Sequence, residues 1–246
     1  MLLDRKGIKA QAKGIVKTAR VSAYTFTLVY LLIVMALMVV DNLFGAETTV
    51  DPEIELQLRQ MGIVTVEIPH LITVPASIAA FISLVLGFAE VVFGCGYNLY
   101  HLGVRRGREM GYNTLTEGFT FAGKAILLAV VMEIFIFLWT MLFIIPGIIA
   151  AYRYRMAKLF LLDHPDAGVM DSIRASKEMM KGHKWECFVL DLSFIGWWLL
   201  AAIPYVGYAV SVWVTPYINT TYVLYYMALA GKPVTVGPAP SQNPYM

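Results

Sequence analysis

Residues 21–40 read VSAYTFTLVYLLIVMALMVV, and this stretch decides the class of fold. It contains no formal charge and is bounded by Arg20 and Asp41. Because a helix rises about 1.5 Å per residue, twenty residues measure about 30 Å, which matches the hydrocarbon thickness of a bilayer. The stretch therefore predicts a transmembrane helix.

Five more apolar runs follow along the chain. They cover about 71–100, 119–143, 147–162, 185–203 and 208–230. Together with the first run they predict an all-α, polytopic membrane protein of six transmembrane helices in three hairpins, at about 21–100, 119–162 and 185–230. Pro146-Gly147 is the predicted turn of the second hairpin. We expect one helical membrane domain over 1–231 and a flexible cytoplasmic tail over 232–246.

The positive charges lie on one side of these runs. Eighteen of the nineteen Lys and Arg residues fall in the N-terminal segment, around 101–124, between 153 and 184, or at Lys232. These segments are alternate connections, and short connections rich in Lys and Arg stay cytoplasmic. The pattern predicts a multi-pass protein of the cell membrane with both termini inside. It also argues against a nucleic-acid-binding surface, because the charge follows topology.

The composition excludes an ordinary soluble domain. Hydrophobic residues make up 59% of the chain and charged residues 15%, with a mean hydropathy of +0.66. Such a chain has too little polar surface to face water on all sides. We expect membrane lipids to be its main partners, whereas its oligomeric state is left open by the sequence.

Three predicted cytoplasmic segments have amphipathic helical patterns. In the first, the cations Lys6, Lys9, Lys13, Lys17 and Arg20 recur at steps of three and four, and Ile8, Ala12, Ile15 and Ala19 follow another stripe. The third begins near Asp166, an expected N-cap, and spaces Arg174 and Glu178 as an i,i+4 pair. These helices are expected to lie on the anionic inner leaflet and orient the crossings, or to dock a soluble partner.

Ionisable residues at membrane depth are the candidate functional residues, because each is costly in hydrocarbon unless it is paired or hydrated. The candidate polar network is Glu90, Glu133, Arg153, Arg155, Lys158 and Asp191. Small residues along the face of Glu90 predict that it faces protein. If the hairpin turns at Pro146, Glu133 and Lys158 reach similar depth and can pair. Asp191 is a further candidate partner for Arg153 and Arg155.

Two interpretations of this network stay open. In the first, the charges pair with one another and fix the register of the helices. In the second, Glu90, Glu133, Arg153 and Arg155 line a polar path for an ion or an anionic lipid headgroup. The sequence does not decide between them.

No catalytic, cofactor or metal site is predicted. Cys95 and Cys187 lack a second Cys or His at ligand spacing and are interpreted as packed thiols. His183 has no nucleophile or carboxylate at a diagnostic spacing. The common hydrolase, metalloprotease and phosphate-loop motifs are not found.

The C-terminal half resembles a known family. The resemblance rests on IIPGII at 144–149, LDHPD at 162–166, SKEMMKGHKW at 176–185 and DLSFIGW at 191–197. These segments are similar to an uncharacterised family of bacterial integral membrane proteins, the domain of unknown function nine hundred and seventy-five. The resemblance implies a multi-pass helical protein of the bacterial cell membrane, distantly similar to the membrane portion of some glycerophosphodiester phosphodiesterases. It implies no activity.

Three hypotheses of function follow. The leading one is a non-catalytic membrane component, either permease-like for a small or amphiphilic solute or an accessory subunit of an envelope complex. The alternatives are a lipid-active membrane enzyme and a lipid-responsive membrane regulator. A bound solute or lipid between the helices favours transport, whereas a bundle in which every charge is paired favours a structural component.

Overall fold

The computed structural model describes residues 5–18, 22–46, 71–201, 203 and 206–231. The first predicted external connection, over 47–70, and the predicted tail over 232–246 lie outside the described residues. About 82% of the described residues are helical, which confirms the all-α class.

Eleven α-helices, one 3-10 helix and two short strands make up the described residues. They are α1 Arg5–Thr18, α2 Ala23–Leu43, β1 Phe44–Ala46, β2 Ile72–Val74, α3 Ala76–Arg105, α4 Thr114–Glu117, the 3-10 helix Gly118–Phe121, α5 Ala122–Leu142, α6 Ile144–Tyr154, α7 Ala157–Asp163, α8 Val169–Met179, α9 Lys184–Leu192, α10 Ile195–Ala201 and α11 Val206–Leu229.

The chain divides into two compact units. One comprises Met1–Leu31 and Val91–Met246, and the other comprises Leu32–Glu90. In the smaller unit β1 pairs with β2 in parallel, an addition that the sequence patterns did not predict. The Ser83 hydroxyl donates to Asp41 Oδ1 at 2.6 Å in the same unit. The expected single domain over 1–231 stays a prediction.

Three helical segments are long and apolar enough to cross a membrane. They are Ala23–Leu43, Ala76–Arg105 and Thr114–Leu142. The fourth and fifth predicted crossings are each broken into two shorter helices, at residues 155–156 and at 193–194. The sixth, α11, is continuous through Pro216, but it carries Asn219, Thr220 and several tyrosines among its apolar residues. Six crossings with both termini inside therefore stay a prediction.

The hairpin of α5 and α6 turns at Phe143 and not at Pro146-Gly147 as predicted. Phe143 is extended, with φ −160° and ψ 149°, and α6 begins at the next residue. Pro146 falls in the first turn of α6, where its missing N–H costs no helical hydrogen bond. Gly147 lies directly against Thr140 of α5, so the two helices approach closely just after the turn.

Two glycines allow a close backbone contact between α3 and the segment that follows it. A Cβ atom on Gly96 would lie 2.5 Å from the carbonyl oxygen of Leu115, and one on Gly118 would meet the carbonyl oxygen of Val92. The start of the α4 segment therefore packs against the middle of α3. The small-residue face predicted to bring helices together lies elsewhere, and Gly87 on it has open space around it.

The N-terminal helix α1 packs against the protein's own helices. Its apolar residues Ile8 and Ala12 are buried in the main core with residues of α9 and α11. Lys9 Nζ donates to the Ser193 hydroxyl at 2.5 Å and lies 4.0 Å from the centre of the Phe194 ring. Burial lowers the pKa of Lys9, with Lys13 as the smaller cause. The predicted contact of this apolar stripe with the leaflet is therefore wrong for Ile8 and Ala12.

Helix α8 differs from its prediction in two details. Its N-cap is Gly168, and Asp166 lies in the turn before it. Arg174 pairs with Asp171 at 3.3 Å, one turn toward the helix start, and not with Glu178. The buried face of α8, which includes Ile173 and Ser176, packs against α5, α6 and α7.

Candidate functional site

The candidate site lies along one face of α11. Tyr222 and Tyr226 are four residues apart, which places them one turn apart on the same helix face. Each donates its hydroxyl to a different aspartate, and each aspartate is paired with an arginine from another part of the chain. We refer to these two groups as the Asp191 cluster and the Asp163 cluster.

The Asp191 cluster consists of Asp191, Arg155, Tyr152 and Tyr222. Arg155 Nη1 lies 2.9 Å from Asp191 Oδ2, and Nη2 lies 3.2 Å from Oδ1. The Tyr152 hydroxyl donates to Oδ2 at 2.8 Å, and the Tyr222 hydroxyl donates to Oδ1. Each carboxylate oxygen thus contacts one guanidinium nitrogen and accepts one hydrogen bond from a tyrosine. The guanidinium carbon also lies 4.4 Å from the centre of the Tyr222 ring.

This geometry is typical of a structural ion pair. The two-point Arg–carboxylate contact fixes the relative orientation of both side chains. It joins the end of α6, helix α9 and helix α11 at one point. The carboxylate is neutralised and its acceptor sites are occupied, so it is poorly placed to act as a general base.

The Asp163 cluster was not predicted. The Asp163 side chain is fully buried, forms an ion pair with Arg106 and accepts a hydrogen bond from the Tyr226 hydroxyl at 2.8 Å. It joins the residue after α3, the end of α7 and α11. The only sequence signal for it is that Asp163 belongs to the LDHPD segment that carries the family resemblance, because its partners are distant along the chain.

The six residues of the predicted network do not come together. Arg155 pairs with Asp191, whereas Glu133 is exposed on α5 and Lys158 is half-buried on α7. No ion pair joins Glu133 to Lys158 among the described residues, because the turn at Phe143 shifts the register of the hairpin. Lys158 Nζ instead lies beside Gly94 of α3.

Arg153 and Glu90 also stand apart from the Asp191 cluster. Arg153 is half-buried, and its carbonyl oxygen accepts a hydrogen bond from the Ser176 hydroxyl at 2.9 Å. Glu90 belongs to the smaller unit and is exposed. Ser83 and Gly87 on its face are exposed as well, whereas Ala79 on the same face is buried, so the prediction that Glu90 faces protein stays a prediction.

His183 has a carboxylate partner that the sequence spacing did not suggest. Its Nδ1 lies 2.8 Å from Glu186 Oε2, three residues later, and Glu186 is 9% exposed. Its carbonyl oxygen accepts a hydrogen bond from the Tyr225 hydroxyl at 3.1 Å. The pair lies at the start of α9, where it ties the loop after α8 to α11.

Cys95 and Cys187 are free and buried. In the part of the chain that the structure describes, no group of three or more His, Cys, Asp or Glu side chains is placed to hold a metal ion.

Comparison with known proteins gives one match. The family described as Protein of unknown function (DUF975) matches residues 129–232, which contain Asp163, Asp191, Tyr222 and Tyr226. Searches of curated proteins and of solved structures give no match. The resemblance seen in the sequence is therefore confirmed over residues 129–232, which are similar to the family of proteins of unknown function DUF975.

Proposed function

We propose that this protein is a non-catalytic, multi-pass component of the bacterial cell membrane that works as an accessory subunit and assembles with a second copy of itself. The observation that carries this proposal is the position of Glu133. It lies on the outside of an apolar helix, with no hydrogen bond or ion pair within the described residues.

A membrane location is supported by the exposure of the long apolar helices. At most 22% of the most apolar 18-residue stretch of each is buried inside the protein. Apolar surface of this extent is unfavourable in water and favourable in hydrocarbon. The segregation of Lys and Arg supports six crossings with both termini inside, in which α6–α7 and α9–α10 cross as broken helices.

The charge positions favour an accessory subunit over a permease-like protein. A polar path through the bundle needs ionisable side chains that face its interior. Arg155 and Asp191 neutralise each other within one closed cluster. Glu133 faces outward beside the exposed apolar side chains Val130, Ile134 and Phe137.

A second copy offers a matching cation at the depth of Glu133. Glu133 lies ten residues before Phe143 and Arg153 lies ten residues after it, so both stand about 15 Å from the turn. The Arg153 guanidinium has no hydrogen bond or ion pair within the described residues. Two copies inserted in the same orientation keep these depths, and a two-fold interface pairs Glu133 with Arg153 twice.

Charge exchange tests this proposal. We expect Glu133→Arg and Arg153→Glu each to lower the dimer fraction of the protein in lipid nanodiscs, measured by energy transfer between differently labelled copies. The double variant Glu133→Arg/Arg153→Glu should restore it, because the pair is rebuilt with reversed signs. Glu178→Arg, an exposed position on α8, is the matched control.

Helix content and melting temperature, measured on the same samples, separate a lost interface from a lost fold. A dimer fraction that is equal in the wild type and in both single variants would contradict the proposed pairing. So would a monomeric wild type. The enzyme and regulator hypotheses stay predictions, since no contact in the described residues favours either.

A further inference from the structure

Arg105, the last residue of α3, is a buried cation without a counter-charge. It is 4% exposed, and its Nε and Nη2 atoms are buried without a hydrogen-bond partner. No salt bridge of the described residues involves it, whereas Arg106 and Arg155 each pair with an aspartate. Buried charges are normally paired, because removing them from water is costly. Arg105 therefore lacks the negatively charged partner that a buried guanidinium normally has.

Two further side-chain nitrogens near this end of α3 are also buried without a hydrogen-bond partner. His101, four residues earlier and on the same helix face, has a buried Nε2 without a partner. Its Nδ1 lies 3.0 Å from the Thr220 hydroxyl of α11, which places the two helices side by side here. Asn219, the neighbour of Thr220, has a buried Nδ2 without a partner. These four atoms are nitrogens, and the other buried atom without a hydrogen bond in the described residues, Asp163 Oδ1, forms the ion pair with Arg106.

The tautomer of His101 decides whether it adds a donor. With the Thr220 hydroxyl donating to Nδ1, the ring carries its proton on Nε2. His101 then offers an N–H in the same way as Arg105 and Asn219 do. A set of nitrogen donors without a carboxylate is suited to an anion.

The end of a helix is an alternative partner for a cation, because its last carbonyl groups carry partial negative charge. That interaction would appear as a hydrogen bond from the guanidinium to a carbonyl oxygen, and Nε and Nη2 make none. The sequence adds no acidic residue between Glu90 and Glu109, and Arg106 and Arg108 follow directly. The Asp163 carboxylate at this end of α3 is already paired with Arg106. The charge of Arg105 is therefore not balanced by a carboxylate of its own, which favours an anion.

We propose that the last two turns of α3 form a binding site for a phosphoryl anion, held by the Arg105 guanidinium with His101 and Asn219 as further donors. The planar guanidinium matches the oxygens of a phosphate group. The phosphate can belong to a phospholipid headgroup or be free in solution. This site does not depend on the assembly role proposed above.

Thermal unfolding of the purified full chain tests the site. The protein is stripped of lipid in a maltoside detergent and melted with phosphatidylglycerol, with inorganic phosphate, or with a phosphate-free glucosyl diacylglycerol. A ligand at about 100 times its Kd should raise the melting temperature of the wild type by about 5–10 °C. Stabilisation by phosphatidylglycerol alone identifies a lipid headgroup, and stabilisation by inorganic phosphate identifies a soluble anion. The glycolipid should have no effect that depends on Arg105.

Arg105→Gln should abolish the stabilisation, and Arg108→Gln, an exposed neighbour, should retain it. Without ligand, Arg105→Gln should melt at the same temperature as the wild type or higher, because it removes an unpaired buried charge. This result separates a ligand site from a structural arginine, whose loss lowers stability. The proposal is overturned if neither phosphate source gives a stabilisation that depends on Arg105. It is equally overturned if ligand-free Arg105→Gln melts below the wild type or fails to fold.

Discussion

Tyr222 and Tyr226 stand one helical turn apart on α11, and each donates its hydroxyl to the aspartate of a different arginine–aspartate pair. The first pair ties the end of α6 to α9, and the second ties the residue after α3 to the end of α7. One face of the last helix therefore completes two polar clusters, one half-buried and one around a fully buried aspartate, that hold four other segments. These clusters lock the fold of the larger unit.

Removal of either tyrosine hydroxyl should destabilise the protein. Tyr222→Phe and Tyr226→Phe keep the ring but leave a carboxylate with one donor fewer, and hydrogen bonds to charged groups contribute about 1.5–3 kcal/mol. We expect both variants to lower the melting temperature in detergent. Tyr217→Phe is the control, since its hydroxyl has no hydrogen bond in the described part of the chain. Equal melting temperatures for all three variants would show that the clusters contribute nothing to stability.

The Arg155–Asp191 pair should behave as one unit in a double-mutant cycle. Arg155→Met or Asp191→Leu alone leaves an uncompensated charge, and we expect each to cost roughly 3 kcal/mol, the lower end for buried pairs. The lower end applies because the Arg155 side chain is 34% exposed. The double variant should cost less than the sum of the two, measured by thermal unfolding. Additive losses would mean that the two side chains do not interact.

The backbone contact at Gly96 should tolerate no side chain. In Gly96→Ala the new Cβ would lie 2.6 Å from the carbonyl oxygen of Thr114, so either α3 or the α4 segment must move. We expect a loss of about 1–3 kcal/mol, the usual cost of overpacking. Gly87→Ala on the same helix meets nothing within 4 Å and should be neutral or stabilise slightly. If Gly96→Ala and Gly87→Ala have the same effect on the melting temperature, that result would contradict the close packing at Gly96.

Hydrophobic runs predicted the helical class and three of the helices well, because length and apolar content alone determine them. Residues 21–40 correspond to most of α2, which begins at Ala23. The turn of the second hairpin was misplaced because Pro-Gly is a turn signal, yet proline is equally favourable in the first turn of a helix. The breaks at residues 155–156 and 193–194 have no such signal, and at the second break Lys9 of α1 contacts Ser193, a residue distant in the sequence.

The candidate site could be predicted only in part. Arg155 and Asp191 were named because charges within apolar runs stand out in the sequence. Asp163 and Tyr226 were not, because they lie 63 residues apart and each is ordinary in its own segment. The exposure of Glu133 could not be predicted either, since an almost uniformly apolar helix such as α5 has no periodicity that marks its inner face.

The multi-pass arrangement with its cations inside is tested most directly by labelling single cysteines with a membrane-impermeant maleimide. The variants are Thr48→Cys, in the predicted external connection, and Asp171→Cys, on the exposed face of α8. The native Cys95 and Cys187 are buried, so the wild type serves as the unlabelled control. We expect the cysteine at 48 to be labelled in intact spheroplasts and the cysteine at 171 only after lysis. Labelling of the cysteine at 171 in intact spheroplasts, or of the cysteine at 48 only after lysis, would contradict this arrangement.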